Sequence, residues 1–190
     1  MVVVDANILL LMLDPDANAR IESRSSGAVL SAKERVEFLI EQIDEAGEKV
    51  VVPTPVLAEA LVFAGQDAPV YVSAMRKFAC IRIEPFDELA AIELAQMDYS
   101  DIQAGDKKGG STDPWQKVKF DRQIVAIARV IGAENLVTDD GGLATLARAS
   151  GITVRGIAEL SLPPEASQGT LFGFAAGAGG EEDDPEDEQG

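Results

Sequence analysis

Short runs of branched apolar residues recur along the chain, and each is followed by a longer segment with helical spacing. The first run, Val2–Val4, leads directly into an acid, Asp5. Four later runs have the same character: Val50–Val52, Cys80–Ile83, Leu136–Thr138 and Ile152–Val154. Such runs are typical of strands that are buried on both faces. Their alternation with helices predicts an α/β fold, with a parallel sheet covered on both faces.

Helices are predicted between the strands, where apolar residues recur at helical spacing. The clearest apolar stripe begins at Val36, and Ser31 and Glu34 before it have the spacing of a capping box. Thr54 is predicted to cap the next helix, and Asp87 a later one. These helices supply the crossovers that parallel strands require. Further helical segments are predicted at Pro69–Phe78, Glu88–Met97, Val118–Ala128 and Leu143–Ala149.

Three segments lack such a pattern. Residues 14–16 and 20–28 are predicted as a break and a polar loop. Residues 105–114 contain three Gly, two Lys and two Asp, and a loop of this length is typical of functional or disordered segments. Two prolines close the ordered chain, so we predict one domain over residues 1–162. The Gly/Ala-rich, acidic remainder, residues 163–190, is expected to be disordered, and either to solubilise the protein or to cover a basic surface.

The composition removes several classes of chemistry. The chain has no histidine, which excludes histidine general bases and histidine metal ligands. It has one cysteine and no apolar run long enough to span a membrane, so we expect a cytoplasmic protein. The net charge of −17 argues against a protein that coats nucleic acid through surface Lys and Arg. Any catalysis must therefore use carboxylates, hydroxyls or a metal ion bound by oxygens.

Acids follow the strands or begin the helices at several points. Asp5 and the pair Asp139 and Asp140 follow predicted strands, while Glu59 and Asp121 lie in early turns of helices. Strand ends and the following helix starts share one edge of a parallel sheet, so these acids are expected to converge. Clustered carboxylates repel each other, and a divalent cation such as Mg²⁺ or Mn²⁺ relieves the repulsion. Such a site suits hydrolysis of phosphodiesters.

The acids lie in short sequence patterns that together resemble a known family. In chain order the patterns are Asp5-x-Asn7, Thr54 with Glu59, Asp121 in Phe-Asp-Arg-Gln-Ile-Val-Ala-Ile-Ala, and Thr138-Asp139-Asp140. The set resembles the PIN-domain family, and within it the VapC-like toxin ribonucleases, over about residues 1–157. The resemblance implies a three-layer α/β/α sandwich and an endoribonuclease that depends on Mg²⁺ or Mn²⁺.

The resemblance also assigns roles to residues. It makes Asp5, Glu59 and Asp121 the core metal-site acids, and Asp140 the fourth. Asp139 falls on a variable position and is kept as a substitute ligand.

Two further groups, Asn7 and Thr138, are implied to hold the carboxylates in place. As a toxin, the protein would also form a homodimer and bind a cognate antitoxin. The loop at 105–114 and the acidic tail depart from the compact toxins.

A small basic cluster precedes and follows the start of the predicted Asp121 helix. Taken alone, the cluster is best explained as a solvated loop; its members are Lys107, Lys108, Lys117, Lys119 and Arg122. The functional hypothesis is that they, together with Trp115, guide RNA towards the acids by phosphate contact and stacking. The alternatives to a nuclease are a PIN-like module that binds RNA or protein without cleaving, and a phosphoacceptor receiver-like domain.

Overall fold

The computed structural model describes residues 1–13, 29 and 31–164. The predicted break at 14–16, the loop at 20–28 and the tail beyond residue 164 lie outside these residues. The described strands form one parallel sheet in the order β3-β2-β1-β4-β5. Their bounds are β1 Val2–Val4, β2 Val50–Pro53, β3 Ile81–Glu84, β4 Asn135–Val137 and β5 Thr153–Arg155.

Helices connect all consecutive strands. They are α1 Ala6–Leu13, α2 Ala32–Glu45, α3 Thr54–Ala64, α4 Ala68–Met75, α5 Glu88–Gln103, α6 Trp115–Val130 and α7 Gly141–Ala149, with 3₁₀ turns at Gly65–Asp67 and Ile157–Glu159. Right-handed crossovers place α1–α4 on one face of this sheet and α5–α7 on the other. Accordingly, α1 packs on α2 and α3, while α6 packs on α5 and α7. The predicted α/β/α sandwich is therefore confirmed.

The core forms where the β-branched strands meet the two helical layers. Val3, Val51 and Leu136 lie on three adjacent strands and are fully buried. Val125 presents a buried face of α6 to the same core. No helix within the described ranges is both long enough and apolar enough to cross a membrane.

Three helix starts differ from the predictions. Thr54 is the first residue of α3 and not its cap, because its hydroxyl accepts a hydrogen bond from the Phe86 N–H at 3.0 Å. Ser31 makes no capping bond, and its backbone is left-handed (φ 58°) where a capping residue is usually extended. The predicted helix Val118–Ala128 would have Asp121 in its first turn, but α6 begins at Trp115, and Asp121 therefore lies in the second turn. The cap at Asp87 is confirmed by its bond from the Ala90 N–H.

The loop between α5 and α6 is held by its own polar groups. Asp106 accepts hydrogen bonds from the N–H groups of Lys108 and Gly110. The ammonium of Lys108 donates to the Asp113 carbonyl at 2.7 Å. The predicted long loop is thus a series of turns that ends directly before α6.

Arg122 is buried and not available to a ligand, so the prediction that it contacts RNA is wrong. Only 1 % of its side chain is exposed, and its guanidinium forms ion pairs with Asp98 and Asp101 of α5. Its Cζ lies 5.6 Å from the ring centroid of Trp115. Arg122 instead stabilises the packing of α5 on α6, because its charge lies between two carboxylates of α5 and an aromatic ring of α6.

Replacement of this buried cation tests its structural role. We expect Arg122→Ala to lower the free energy of unfolding by about 3 kcal/mol, because two carboxylates lose their counter-ion. Arg129→Ala is the matched control: Arg129 lies on the same helix and pairs with Glu93 of α5, but it is 44 % exposed. That variant should lose less than about 1 kcal/mol. Equal losses in urea unfolding would contradict the assignment.

Candidate active site

The predicted site acids lie at the carboxyl edge of the sheet, where β1 and β4 are neighbours. The chain moves outwards from β1 in one direction to β3 and returns beside β1 as β4. Such a reversal leaves a crevice between the loops that follow the two strands. A cavity of about 520 Å³ opens there, lined among others by Asp5, Asn7, Glu59, Lys117, Asp121 and Asp140.

Asp5 is the buried anchor of this cavity. The hydroxyl of Thr138 donates to its Oδ2, and the Ile8 N–H donates to its Oδ1 at 2.9 Å. Burial raises the pKa of Asp5 to about 6, although the two hydrogen bonds oppose the increase. The negative charges of Asp139 and Asp140 add to it. Ionisation of Asp5 therefore costs free energy unless a nearby cation compensates the negative charge.

Thr138 joins the two central strand ends. While its hydroxyl donates to Asp5, it also accepts the Asp140 N–H at 2.9 Å. Asp140 in turn caps α7, because its Oδ1 accepts the Leu143 N–H at 2.9 Å. One hydroxyl thus contacts two predicted site acids, and its role in holding them for a metal ion stays a prediction.

Lys117 lies among the acids, and the sequence reasoning missed this. Its Nζ is 2.8 Å from Asp121 Oδ2, 2.8 Å from Asp140 Oδ1 and 3.6 Å from Asp113 Oδ2. Burial alone would lower the pKa of Lys117, but its bonds to Asp121 and Asp140 raise it above the ordinary value. The spacing of Lys117 and Asp121, four residues apart on one face of α6, was the available signal, and Asp113 lies four residues before Lys117 in the preceding loop.

The pKa values of the two acids that pair with Lys117 are shifted in opposite directions. Burial raises the pKa of Asp121 in spite of the Lys117 contact. Burial also acts to raise the pKa of Asp140, but the Lys117 bond and the backbone N–H bonds of α7 bring it below the ordinary value. Asp140 is thus held as the carboxylate, while Asp121 depends more strongly on a nearby cation.

Glu59 and Asn7 line the same cavity from α3 and α1, and both are exposed. Glu59 makes no hydrogen bond or ion pair with any described residue, and its carboxylate is open to the cavity. Asn7 likewise makes no side-chain hydrogen bond within residues 1–13, 29 and 31–164. The role of Asn7 in holding carboxylates therefore stays a prediction.

Asp139 and Lys119 do not line the cavity. Asp139 does not line the cavity, and its Oδ1 accepts the Ile157 N–H at 2.9 Å. Lys119 is exposed on α6 and pairs with no acid of the described chain. The Trp115 ring is already covered by Lys107, whose Nζ lies 4.3 Å from its centroid. RNA contact by Lys119 and Trp115 remains a prediction.

The donor set suits a hard divalent cation. Among the described residues, no group of three or more acidic or cysteine side chains is arranged to hold a metal ion. However, Mg²⁺ commonly binds through one or two carboxylates and keeps its waters. Asp121 and Asp140 already hold one cation, the Lys117 ammonium, between them. Asp5, Glu59, Asp121 and Asp140 therefore fit such an ion by chemistry and by the cavity they share.

Comparison with known proteins gives a class for the fold. No family model and no curated protein matches the sequence. Among solved structures, a chain of FitAB bound to an IR36 DNA fragment is 20% identical, with a TM-score of 0.55, over 85% of this chain and 98% of that one. A chain of VapBC2 from Rickettsia felis, bound to a promoter DNA fragment, is 12% identical, with a TM-score of 0.51, over 82% and 98%. The fold is that of the VapC-like PIN domains, so this resemblance is confirmed at the level of the fold.

The buried charge of Asp5 predicts a pH-dependent stability. Because its folded pKa is raised from 3.8 to about 6, the folded state binds more protons than the unfolded state between these values, and stability falls as the pH rises through them. Asp5→Asn in EDTA should therefore be more stable than the wild type by about 2 kcal/mol at pH 7.5. The gain should vanish near pH 4.

Urea unfolding at both pH values measures this difference. Glu41→Gln removes an exposed acid of α2 and should leave the stability unchanged at either pH. An Asp5→Asn variant that is less stable than the wild type at pH 7.5 in EDTA would contradict the buried-charge account.

Proposed function

We propose that the protein is a metal-dependent endoribonuclease of PIN type, which hydrolyses RNA phosphodiesters. The observation that carries the proposal is the convergence of Asp5, Glu59, Asp121 and Asp140 on one cavity. These acids come from four separate segments of the chain, and the Lys117 ammonium contacts only two of them, Asp121 and Asp140. The PIN fold supports the same activity.

Each acid has a distinct part in this proposal. Asp5, Asp121 and Asp140 would hold Mg²⁺ or Mn²⁺, and Glu59 would complete the site from α3. When bound, the ion would lower the pKa of a water and neutralise charge on the phosphate. Thr138 keeps Asp5 and the Asp140 backbone in register through its two hydrogen bonds. Glu59, which pairs with no other described residue, would accept a hydrogen bond from the attacking water.

A partner protein forms part of the proposal. The similar chains come from assemblies described as FitAB and VapBC2, each bound to DNA. We propose by analogy that this protein is the toxin of a toxin–antitoxin pair, with a cognate antitoxin and a homodimeric state. The apolar wall of the cavity, which includes Val62 and Phe120, offers exposed surface beside the acids for such a partner.

One observation favours a second candidate, a PIN-like module that binds RNA or protein without cleavage. Lys117 places an ammonium where Asp121 and Asp140 would bind the metal. If that ammonium were permanent, it would occupy two of the four acids and offset one of their two charges, and the cavity would only bind. Metal-dependent cleavage distinguishes the two functions.

The proposed activity is tested with labelled RNA in Mg²⁺ or Mn²⁺. We expect cleavage that EDTA abolishes, and Asp121→Asn should lower its rate by roughly 100-fold, because a ligand of the ion is lost. Asp139→Asn is the matched control, since Asp139 is adjacent to the site but points to Ile157. It should keep its rate within about threefold.

Two results would contradict the nuclease. One is cleavage that survives in Asp121→Asn at the wild-type rate, which would indicate a contaminant. The other is a protein that binds RNA but does not cleave it in either metal, which would favour the binding module.

A further inference from the structure

The position of Lys117 suggests how metal loading of the site is controlled. This inference rests on the proposed metal site. We propose that Lys117 is a built-in counter-ion that competes with the divalent ion for Asp121 and Asp140, so that loading requires the ammonium to leave.

The ammonium of Lys117 occupies the oxygens that a metal ion would use. Its distances of 2.8 Å to Asp121 Oδ2 and to Asp140 Oδ1 place one charge between two carboxylates from different elements, α6 and the start of α7. A divalent ion that used the same two oxygens would lie against the ammonium, and the two cations would repel strongly at this separation. The two modes of occupancy therefore exclude each other.

The Lys117 ammonium is closely packed between the acids and the start of α7. A Cβ on Gly142 would lie 3.1 Å from Lys117 Nζ and 3.3 Å from Asp121 Oδ2, and it would collide with the Asp113 carboxylate. The absence of a side chain at the start of α7 thus provides the room that lets the ammonium reach both acids. This close approach indicates a defined position for the lysine and not a loose surface pair.

The ammonium also has a route out of the site. The Lys117 side chain is 34 % exposed, and its flexible four-carbon stem lets the charge swing away without movement of α6. Asp113, at the end of the loop before α6, already lies 3.6 Å from Nζ, and it is a partner that the ammonium can keep when it leaves the other two acids. Lys117 thus offsets part of the charge of Asp121 and Asp140 when the ion is absent and releases both acids when it binds.

The experiment measures Mn²⁺ binding by the full-length protein at pH 7.5, by calorimetry and by electron paramagnetic resonance. Lys117→Met should bind Mn²⁺ roughly tenfold more tightly than the wild type, because the competing charge is gone. In EDTA the same variant should unfold at a lower temperature, because Asp121 and Asp140 then repel each other without a counter-ion. A larger Mn²⁺-induced rise in its unfolding temperature should accompany the tighter binding.

Lys119→Met is the matched control, since it removes the same charge from an exposed position on α6. It should bind Mn²⁺ as the wild type does, which separates local competition from the change in net charge. Lys117→Gln provides a polar replacement if the Met variant does not fold, and it should show the same gain in affinity.

Failure of this inference is distinguishable from failure of the proposed function. Unchanged or weaker Mn²⁺ binding in Lys117→Met and Lys117→Gln would overturn competition and make Lys117 a structural ion pair only. If Asp121→Asn then abolishes Mn²⁺ binding, the proposed metal site stands without the lysine control. If Asp121→Asn binds Mn²⁺ like the wild type, both the competition and the proposed site are overturned.

Discussion

The structure depends on one electrostatic constraint: carboxylates at the buried ends of parallel strands need positive charge or donors close by. Asp5 receives a hydroxyl and a backbone N–H, and its pKa still rises to about 6 because the site is desolvated. Asp121 and Asp140 share the ammonium of Lys117. The same need for positive charge makes this edge suitable for a divalent ion.

Topology explains why these acids meet. Adjacent parallel strands β1 and β4 are far apart in the chain, yet their pairing of Val4 with Val137 aligns their ends. Thr138 then connects Asp5 with the backbone of Asp140 across that junction. The crossover helices add Glu59 and Asp121 from two sides of the crevice. A local strand pairing thus assembles residues separated by more than a hundred positions.

Much of this arrangement follows from the sequence because it is set by local patterns. The branched runs at Val2–Val4 and Val50–Val52 required buried parallel strands, and strand ends in such a sheet share an edge. Contacts between helices were not predictable in this way. The burial of Arg122 depends on Asp98 and Asp101, which lie on α5, before the long loop that leads to α6. From the sequence alone, a cationic residue next to Asp121 is equally consistent with an exposed surface group.

The sequence pattern also did not predict the direction in which individual side chains point. Asp139 and Asp140 are neighbours, but only Asp140 lines the cavity, since Asp139 is used to hold the Ile157 N–H. Likewise, the helical pattern around Asp121 predicted the helix but not its start at Trp115. The residue before that start, Pro114, is the last residue of a polar loop, and the pattern did not assign it to the helix. The i to i+4 spacing of Lys117 and Asp121 is visible in the sequence. The contact of Lys117 with Asp140 is not, because it forms only when β4 and α6 come together in the fold.

The most direct test of the central claim is a crystal structure of the full protein with Mn²⁺, with anomalous scattering used to locate the ion. We predict an anomalous peak in the cavity, within coordination distance of Asp121 and Asp140, with the Lys117 ammonium displaced from both. A cavity without a peak at saturating Mn²⁺, and with Lys117 still between the two acids, would contradict the account.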